Sequence, residues 1–277
     1  MSCMSYDARS IASFRHVVWN HWKKHGRHGL AWRKTRDPYR ILVSEVMLQQ
    51  TQVSRVEEKY RQFMKVFPSV HTLAGAPLGT VLRVWSGMGY NRRAKYLHDA
   101  AKIIVAECKG RVPKDELALR GIPGVGPYTA NAVRVFAFNE PDVLIETNIR
   151  AAFIHHFYSS VLQNTGIEDS QILPIVETAA KGEDSRTWHW ALMDYGVYIK
   201  KLHKNPARKS AHYVRQSKFE GSLRQVRGAI LHSLVDGSKT KRAIYVLIRA
   251  NKHIVDKALA SLACDDLVTK KGSLWRV

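Results

Sequence analysis

The sequence predicts an all-α protein that ends in a small mixed module, and three observations carry this. Apolar residues recur at three- and four-residue spacing through the first 200 positions. No stretch alternates strictly until Leu267–Arg276, which reads as a β-hairpin with Lys271-Gly272 at its turn. Between the two lies Gly121-Ile122-Pro123-Gly124-Val125-Gly126-Pro127, with three glycines and two prolines that cannot propagate a helix, although both flanks read helical.

Along the chain, Ile11, Phe14, Val18 and Trp22 mark an amphipathic helix from Tyr6 to Trp22, ended by the basic string Lys23–His28. Asp37-Pro38 starts the next, with aspartate as cap and proline in the first turn. It carries Ile41 to Gln52 and continues or restarts through Val56 and Tyr60. Pro68 and Pro77 punctuate short helices, and the glycine-bearing loop Trp85–Tyr90 precedes a helix over Ala94–Ala106. Leu117–Leu119 and Ala130–Phe136 flank the tight turn, with Pro127 at a first helical position where its missing N–H costs nothing. Helices are expected over Val143–Tyr158, Ile172–Ala180 and Trp188–Ile199. The pattern then gives way to a basic linker over 200–221. Helices Val226–Val235, Lys241–Ile248 and His253–Leu267 precede the hairpin, which is the order of a winged helix over 222–277.

The 277 residues carry a formal net charge of +21, far beyond what solubility requires, which points to a polyanionic partner. From Lys200 onward there are 18 Lys+Arg against 5 Asp+Glu, a concentration that suits a DNA clamp. The free N–H groups of the 121–127 turn and the following helix start make an anion site, for which a phosphate is the expected occupant. Cys3, Cys108 and Cys264 are scattered, so neither a disulfide framework nor a metal centre follows. The first nine residues lack the apolar core of a signal peptide, and no run has the length of a membrane span, so an intracellular, cytoplasmic, nucleoid-associated protein is expected.

Two carboxylates stand out. Glu45 lies in Ile41-Leu42-Val43-Ser44-Glu45-Val46-Met47-Leu48, where its neighbours one turn away are apolar. Burial raises a carboxyl pKa and keeps it protonated, as a general acid requires, although a surface glutamate is the ordinary explanation. Glu146, in Leu144-Ile145-Glu146-Thr147-Asn148-Ile149-Arg150, falls at or beside a helix cap, where the positive helix end favours the ionised form. Glycosidic cleavage uses such a pair: a proton for the leaving base and a negative group facing the oxocarbenium-like sugar. A plain cap is the alternative.

The Gly-rich hairpin resembles the helix-hairpin-helix of the DNA glycosylase superfamily that includes endonuclease III and the MutY adenine glycosylases. Leu42–Val53, preceded by Trp32-Arg33 and Asp37-Pro38-Tyr39, closely resembles MutY. The resemblance covers about residues 10 to 200. It implies a two-lobed glycosylase core over 1–199, with a six-helix lobe at about 29–137 and a second lobe from 6–28 plus 138–199. It implies that Glu45 protonates a flipped adenine, that Glu146 is the second carboxylate and that Asn148 orients the catalytic groups. Bifunctional relatives carry a Schiff-base lysine where this chain has Tyr128, so base removal without efficient lyase chemistry is implied. Gln50 and Tyr90 match residues that wedge into the stack, with Thr51 beside them, and Gly124, Gly126 and Thr129 belong to the phosphate-binding hairpin.

The chain also departs from that family. It has Glu146-Thr147 where aspartate and a small residue are usual, and Asn91 where a second tyrosine is usual. Lys200 stands where the first of four iron–sulfur cysteines is usual, so no cluster and no other metal is expected. The hairpin is additionally a candidate seat for a monovalent cation. Arg208, Lys209 and Arg215 are candidates to replace the phosphate contacts of the cluster loop. A winged-helix-sized module stands in place of the MutT-like domain. The expectation is a monomeric, monofunctional glycosylase for adenine opposite guanine or 8-oxoguanine in duplex DNA. The alternatives are a thymine or uracil mismatch glycosylase of the same fold and a non-catalytic binder of mismatched or bent DNA.

Overall fold

A computed structural model describes residues 7–159, 166–214 and 218–277. Helix α1 spans Ala8–His25 and is capped by Asp7, whose carboxylate accepts from the Ser10 N–H. Pro38 opens α2, Pro38–Leu48, as expected. There follow α3 (Val53–Val66), α4 (Val70–Ala74), α5 (Leu78–Trp85), α6 (Arg92–Glu107) and α7 (Glu116–Arg120). After the glycine turn, α8 (Pro127–Val133) runs into a π-helical turn, Arg134–Phe138. Then come α9 (Thr147–Phe157), α10 (Asp169–Ala180) and α11 (Ser185–Leu202). The last module holds α12 (Leu223–Val235), β1 (Lys239–Thr240), α13 (Lys241–Ile248), α14 (Lys252–Cys264), β2 (Thr269–Lys271) and β3 (Leu274–Arg276).

The chain divides into two compact units, Met1–Pro38 with Pro127–Arg215, and Tyr39–Gly126 with Gln216–Val277. In the first, α9 lies against α11, and Phe14, Val18, Ile149, Phe153, Trp188 and Leu192 form the core. The Phe14 ring meets Phe153 at 4.8 Å and Trp188 edge-on at 6.3 Å. Each such ring, fully buried, is worth about 1.5–3 kcal/mol. In the second, Ile41, Leu42, Val56, Phe63, Leu73, Trp85 and Leu97 are buried under the helices from α2 to α6. The C-terminal module has its own core of Ile230, Leu234, Ile244, Val255, Leu259 and Leu262, and it packs α12 on α5.

Several elements differ from the sequence-based expectation. The helix of Ile41 stops at Leu48 because Gln50 adopts φ +53, and a new helix starts at Val53. Residues 141–146 have no regular secondary structure, and the helix starts only at Thr147, where the Glu146 side chain caps it. The basic stretch 200–221 is not a linker throughout: Lys200–Leu202 complete α11, and Pro206–Lys209 form a 3-10 turn packed on α9. The terminal sheet has three strands, in the order β1-β3-β2, all antiparallel. Lys271 pairs with Leu274, so the hairpin turn is Gly272-Ser273, with Gly272 at φ +59, not Lys271-Gly272. Among the described residues, no helix is long and apolar enough to cross a membrane.

Candidate active site and nucleic-acid interface

The apolar run of α2 buries one face in the unit's core and carries Glu45 with it. Glu45 is 8% exposed, and residues Ile41 to Met47 around it are all buried. Beyond α2 the chain makes a tight turn through Gln49, Gln50 and Thr51. A buried arginine secures that turn. One Arg93 nitrogen donates to the carbonyls of Val46, Met47 and Gln49 at 2.8, 3.0 and 2.5 Å. Its other terminal nitrogen donates to Thr51 Oγ1 at 3.0 Å and to the carbonyls of Met88 and Gly89 at 3.4 and 3.3 Å. Arg93 thus satisfies the last carbonyls of α2 and ties them to the Gly89 loop. Burial pushes its guanidinium down to about 10.

The two segments joined by Arg93 hold two side-chain-bearing residues in the left-handed region, Gln50 at φ +53 and Tyr90 at φ +47. Such residues cost free energy and collect at functional sites. Both line a cleft of about 760 Å³, together with Gly124 and with Arg224, Arg227 and Asp265 of the C-terminal module. Arg224 donates to the Tyr90 hydroxyl and lies over the Tyr90 ring at 5.1 Å and the Phe219 ring at 5.4 Å. Asp265 is held by Arg92 at 2.6 Å and Arg227 at 2.5 Å.

In the hairpin, Gly121 N–H closes on the Leu117 carbonyl and Val125 N–H on Ile122. Gly124 has φ +77, and a Cβ there would lie 2.7 Å from the Tyr96 Cβ, so both backbone shape and space require glycine. Gly124 and Gly126 are exposed, Tyr128 is half-buried and Thr129 is buried.

Glu146 is the N-cap of α9. Its Oε1 accepts the backbone N–H groups of Asn148 and Ile149 at 2.9 and 3.0 Å, and its Oε2 accepts from Asn148 Nδ2 at 3.1 Å. The sequence predicts a carboxyl pulled down by the helix end. The structure reverses this direction: loss of water pushes Glu146 above its ordinary value of 4.5, outweighing those donors and the Lys200 charge. The residue as a whole is half-buried, but its carboxylate is engaged with α9. The segment before it is pinned by His189, buried in α11. Its Nε2 accepts the Leu144 N–H at 3.1 Å, which leaves Nδ1 to donate to the Ser185 carbonyl at 2.7 Å. Burial holds His189 neutral, pushed down to about 4.

Of the basic residues proposed as phosphate contacts, Arg208 is exposed, whereas Lys209 turns its amine to the carbonyls of Tyr158 and Ser159. Arg215 lies outside the described residues. Sequence reasoning missed Arg93, His189 and Arg224, whose bonds to Gln49, Leu144 and Tyr90 join positions 44, 45 and 134 residues apart.

Residues 43–216 match the HhH-GPD superfamily base excision DNA repair protein family. The chain is similar to adenine DNA glycosylase of Mycolicibacterium smegmatis, 33% identical over 271 residues, covering 89% of this chain and 90% of the relative. It is also 34% identical over 186 residues to adenine DNA glycosylase of Buchnera aphidicola, covering 67% of this chain but only 52% of the relative. A thermostable thymine-DNA glycosylase superposes with a TM-score of 0.60 at 26% identity, over 68% of this chain and 86% of the other.

Proposed function

The chain belongs to the HhH-GPD superfamily of base excision DNA repair proteins, as a DNA N-glycosylase of the MutY type, and we propose that the base it removes is adenine mispaired with guanine or 8-oxoguanine. The observation that carries this reading is Glu45, buried within a helix whose sequence, Leu42–Val53, resembles the MutY motif. In this reading the Glu45 carboxyl gives its proton to the departing base as the glycosidic bond breaks. The electron pair of that bond leaves with the base, and the sugar becomes an oxocarbenium-like cation. The resemblance assigns the steadying of that charge to the Glu146 carboxylate, which three donors fix, and water adds to the sugar carbon and releases a proton to complete the hydrolysis. Tyr128 offers no amine for a Schiff base, so the product is an intact abasic strand.

No iron–sulfur cluster belongs to this reading. The stretch 200–221 contains no cysteine, so it offers none of the thiolate ligands that such a cluster needs. Purified protein is expected to be colourless; stoichiometric iron and sulfide would refute this part. The likeness to a thymine-DNA glycosylase keeps a second substrate in play. Single-turnover assays on duplexes carrying A, T or U opposite G, 8-oxoguanine or C separate the two. Excision of A opposite G or 8-oxoguanine supports the proposal, and excision of T or U alone overturns it.

A further inference from the structure

Helix α11 approaches the first turn of α9 so closely that a Cβ at Gly196 would lie 2.0 Å from the Asn148 carbonyl oxygen. Lys200 is one turn further along the same face of α11. The close approach at Gly196 brings its amine over the same asparagine, and Lys200 Nζ donates to Asn148 Oδ1 at 3.1 Å. The opposite end of that amide, Nδ2, donates to Glu146 Oε2 at 3.1 Å.

We propose that Lys200 is a positioning residue for Glu146, acting through the side-chain amide of Asn148. The inference rests on the glycosylase reading above and adds to it a residue that neither the motif nor the comparisons single out. An ammonium has only donors, so it requires the amide oxygen to face it. The NH2 end must then face the carboxylate. A flipped Asn148 would oppose its oxygen to Glu146 and its NH2 to the lysine, leaving both contacts repulsive. Lys200 thus selects the single amide orientation that gives Glu146 its third hydrogen bond and keeps the Oε2 oxygen in place.

The same amine places a positive charge near the carboxylate and opposes the effect of burial. The other charged and titratable groups around Glu146 do not take over this role. Arg150, on α9 itself, lies within electrostatic reach of Glu146, but its guanidinium is bonded to Asp169 of α10 at 2.6 and 2.7 Å and not to the Asn148 amide. Tyr128 of α8 lies within electrostatic reach of Arg150. On the 3-10 turn packed against α9, Lys209 is bonded at the far end of that helix, and Arg208 is exposed. His155 and His156 also sit in the last turn of α9, away from Glu146.

The test compares wild type with Lys200→Met, which keeps the apolar stem, and Lys200→Arg, which keeps the charge. One readout needs no catalysis: carboxyl-13C titration of glutamate-labelled protein, with the Glu146 signal assigned from Glu146→Gln. The methionine variant is expected to move the Glu146 pKa upward, and arginine to hold it near wild type. The second readout is the pH profile of single-turnover adenine excision at saturating enzyme. Lys200→Met should be slower by about tenfold, the size of one charge-assisted hydrogen bond, with the acid limb displaced to higher pH and duplex affinity unchanged. An unchanged Glu146 titration in Lys200→Met overturns the proposal, as does a slower reaction whose acid limb has not moved. If wild type excises no adenine, the substrate reading fails, and the carboxyl titration alone still decides the role of Lys200.

Discussion

The two carboxylates of this glycosylase sit in regions built on opposite principles. Glu45 belongs to a helix that is apolar on nearly every side, and the polar work nearby is done by Arg93, which takes up the backbone carbonyls at the helix end. Glu146 stands at a helix start, where its own oxygens take up the backbone N–H groups, and Asn148, Lys200 and His189 secure what surrounds it. One region buries a carboxyl within an apolar helix; the other holds a carboxyl at a helix start with three donors. The difference teaches that where a carboxyl stands along its helix, inside an apolar run or at the open N-terminal end, sets which backbone groups it can serve. At Glu146 burial outweighs the helix end.

The comparison breaks most visibly at the acid. Glu45→Gln keeps the shape of the side chain but cannot give a proton, so excision should fall by about 10²–10⁴-fold, with duplex binding near wild type. Glu146→Gln tests the other side. Loss of a charge facing the developing cation should slow single-turnover excision by about 10²–10³-fold. The raised Glu146 pKa adds a sign: the reaction needs the ionised form, so its rate should fall as pH drops through a value above 4.5, the ordinary glutamate value.

His189 sharpens the comparison through stability. It is neutral in the fold, with its pKa pushed down from 6.5 to about 4. Its contribution is complete above pH 6.5 and is lost as pH falls from there toward 4, because the unfolded chain takes up the proton first. The cost reaches about 3 kcal/mol, measurable as a falling urea midpoint over that window. His189→Gln should flatten this dependence. At Gly196, an added methyl must push α11 from Asn148, and Gly196→Ala should lose about 1–3 kcal/mol of stability and slow excision as well. The smallest effect belongs to the cleft beside Tyr90. If Arg224 contacts a phosphate there, Arg224→Ala should lower the log–log salt slope of duplex binding by about 0.9 and leave single-turnover excision at saturation unchanged.

Much of this was legible in the sequence. Three- and four-residue spacing located the helices, Asp37-Pro38 marked the start of α2, and the apolar neighbours of Glu45 announced its burial. The breaks were harder to read. Gln50 and Tyr90 take left-handed backbone without being glycine, so the end of α2 and the turn before α6 carry no composition signal. Two-residue β1 is too short to show a period, and its pairing with Trp275 and Leu274 joins positions more than 30 residues apart. The direction of the Glu146 pKa could not be read from a helix start alone, because the desolvating helices come from elsewhere in the chain. Lys200 shows the same limit: as sequence it is a break in a cysteine pattern, and only the closeness permitted by Gly196 makes it a partner of Asn148.

The most direct test of the account is one series of single-turnover measurements on a duplex with adenine opposite 8-oxoguanine, run at saturating enzyme with wild type, Glu45→Gln and Glu146→Gln, alongside duplex affinity. The account predicts adenine release by wild type, a collapse of the rate in both variants, and near-equal affinity in all three. A variant that releases adenine at the wild-type rate would contradict the division of labour between the two carboxylates and leave that glutamate a structural residue of its helix.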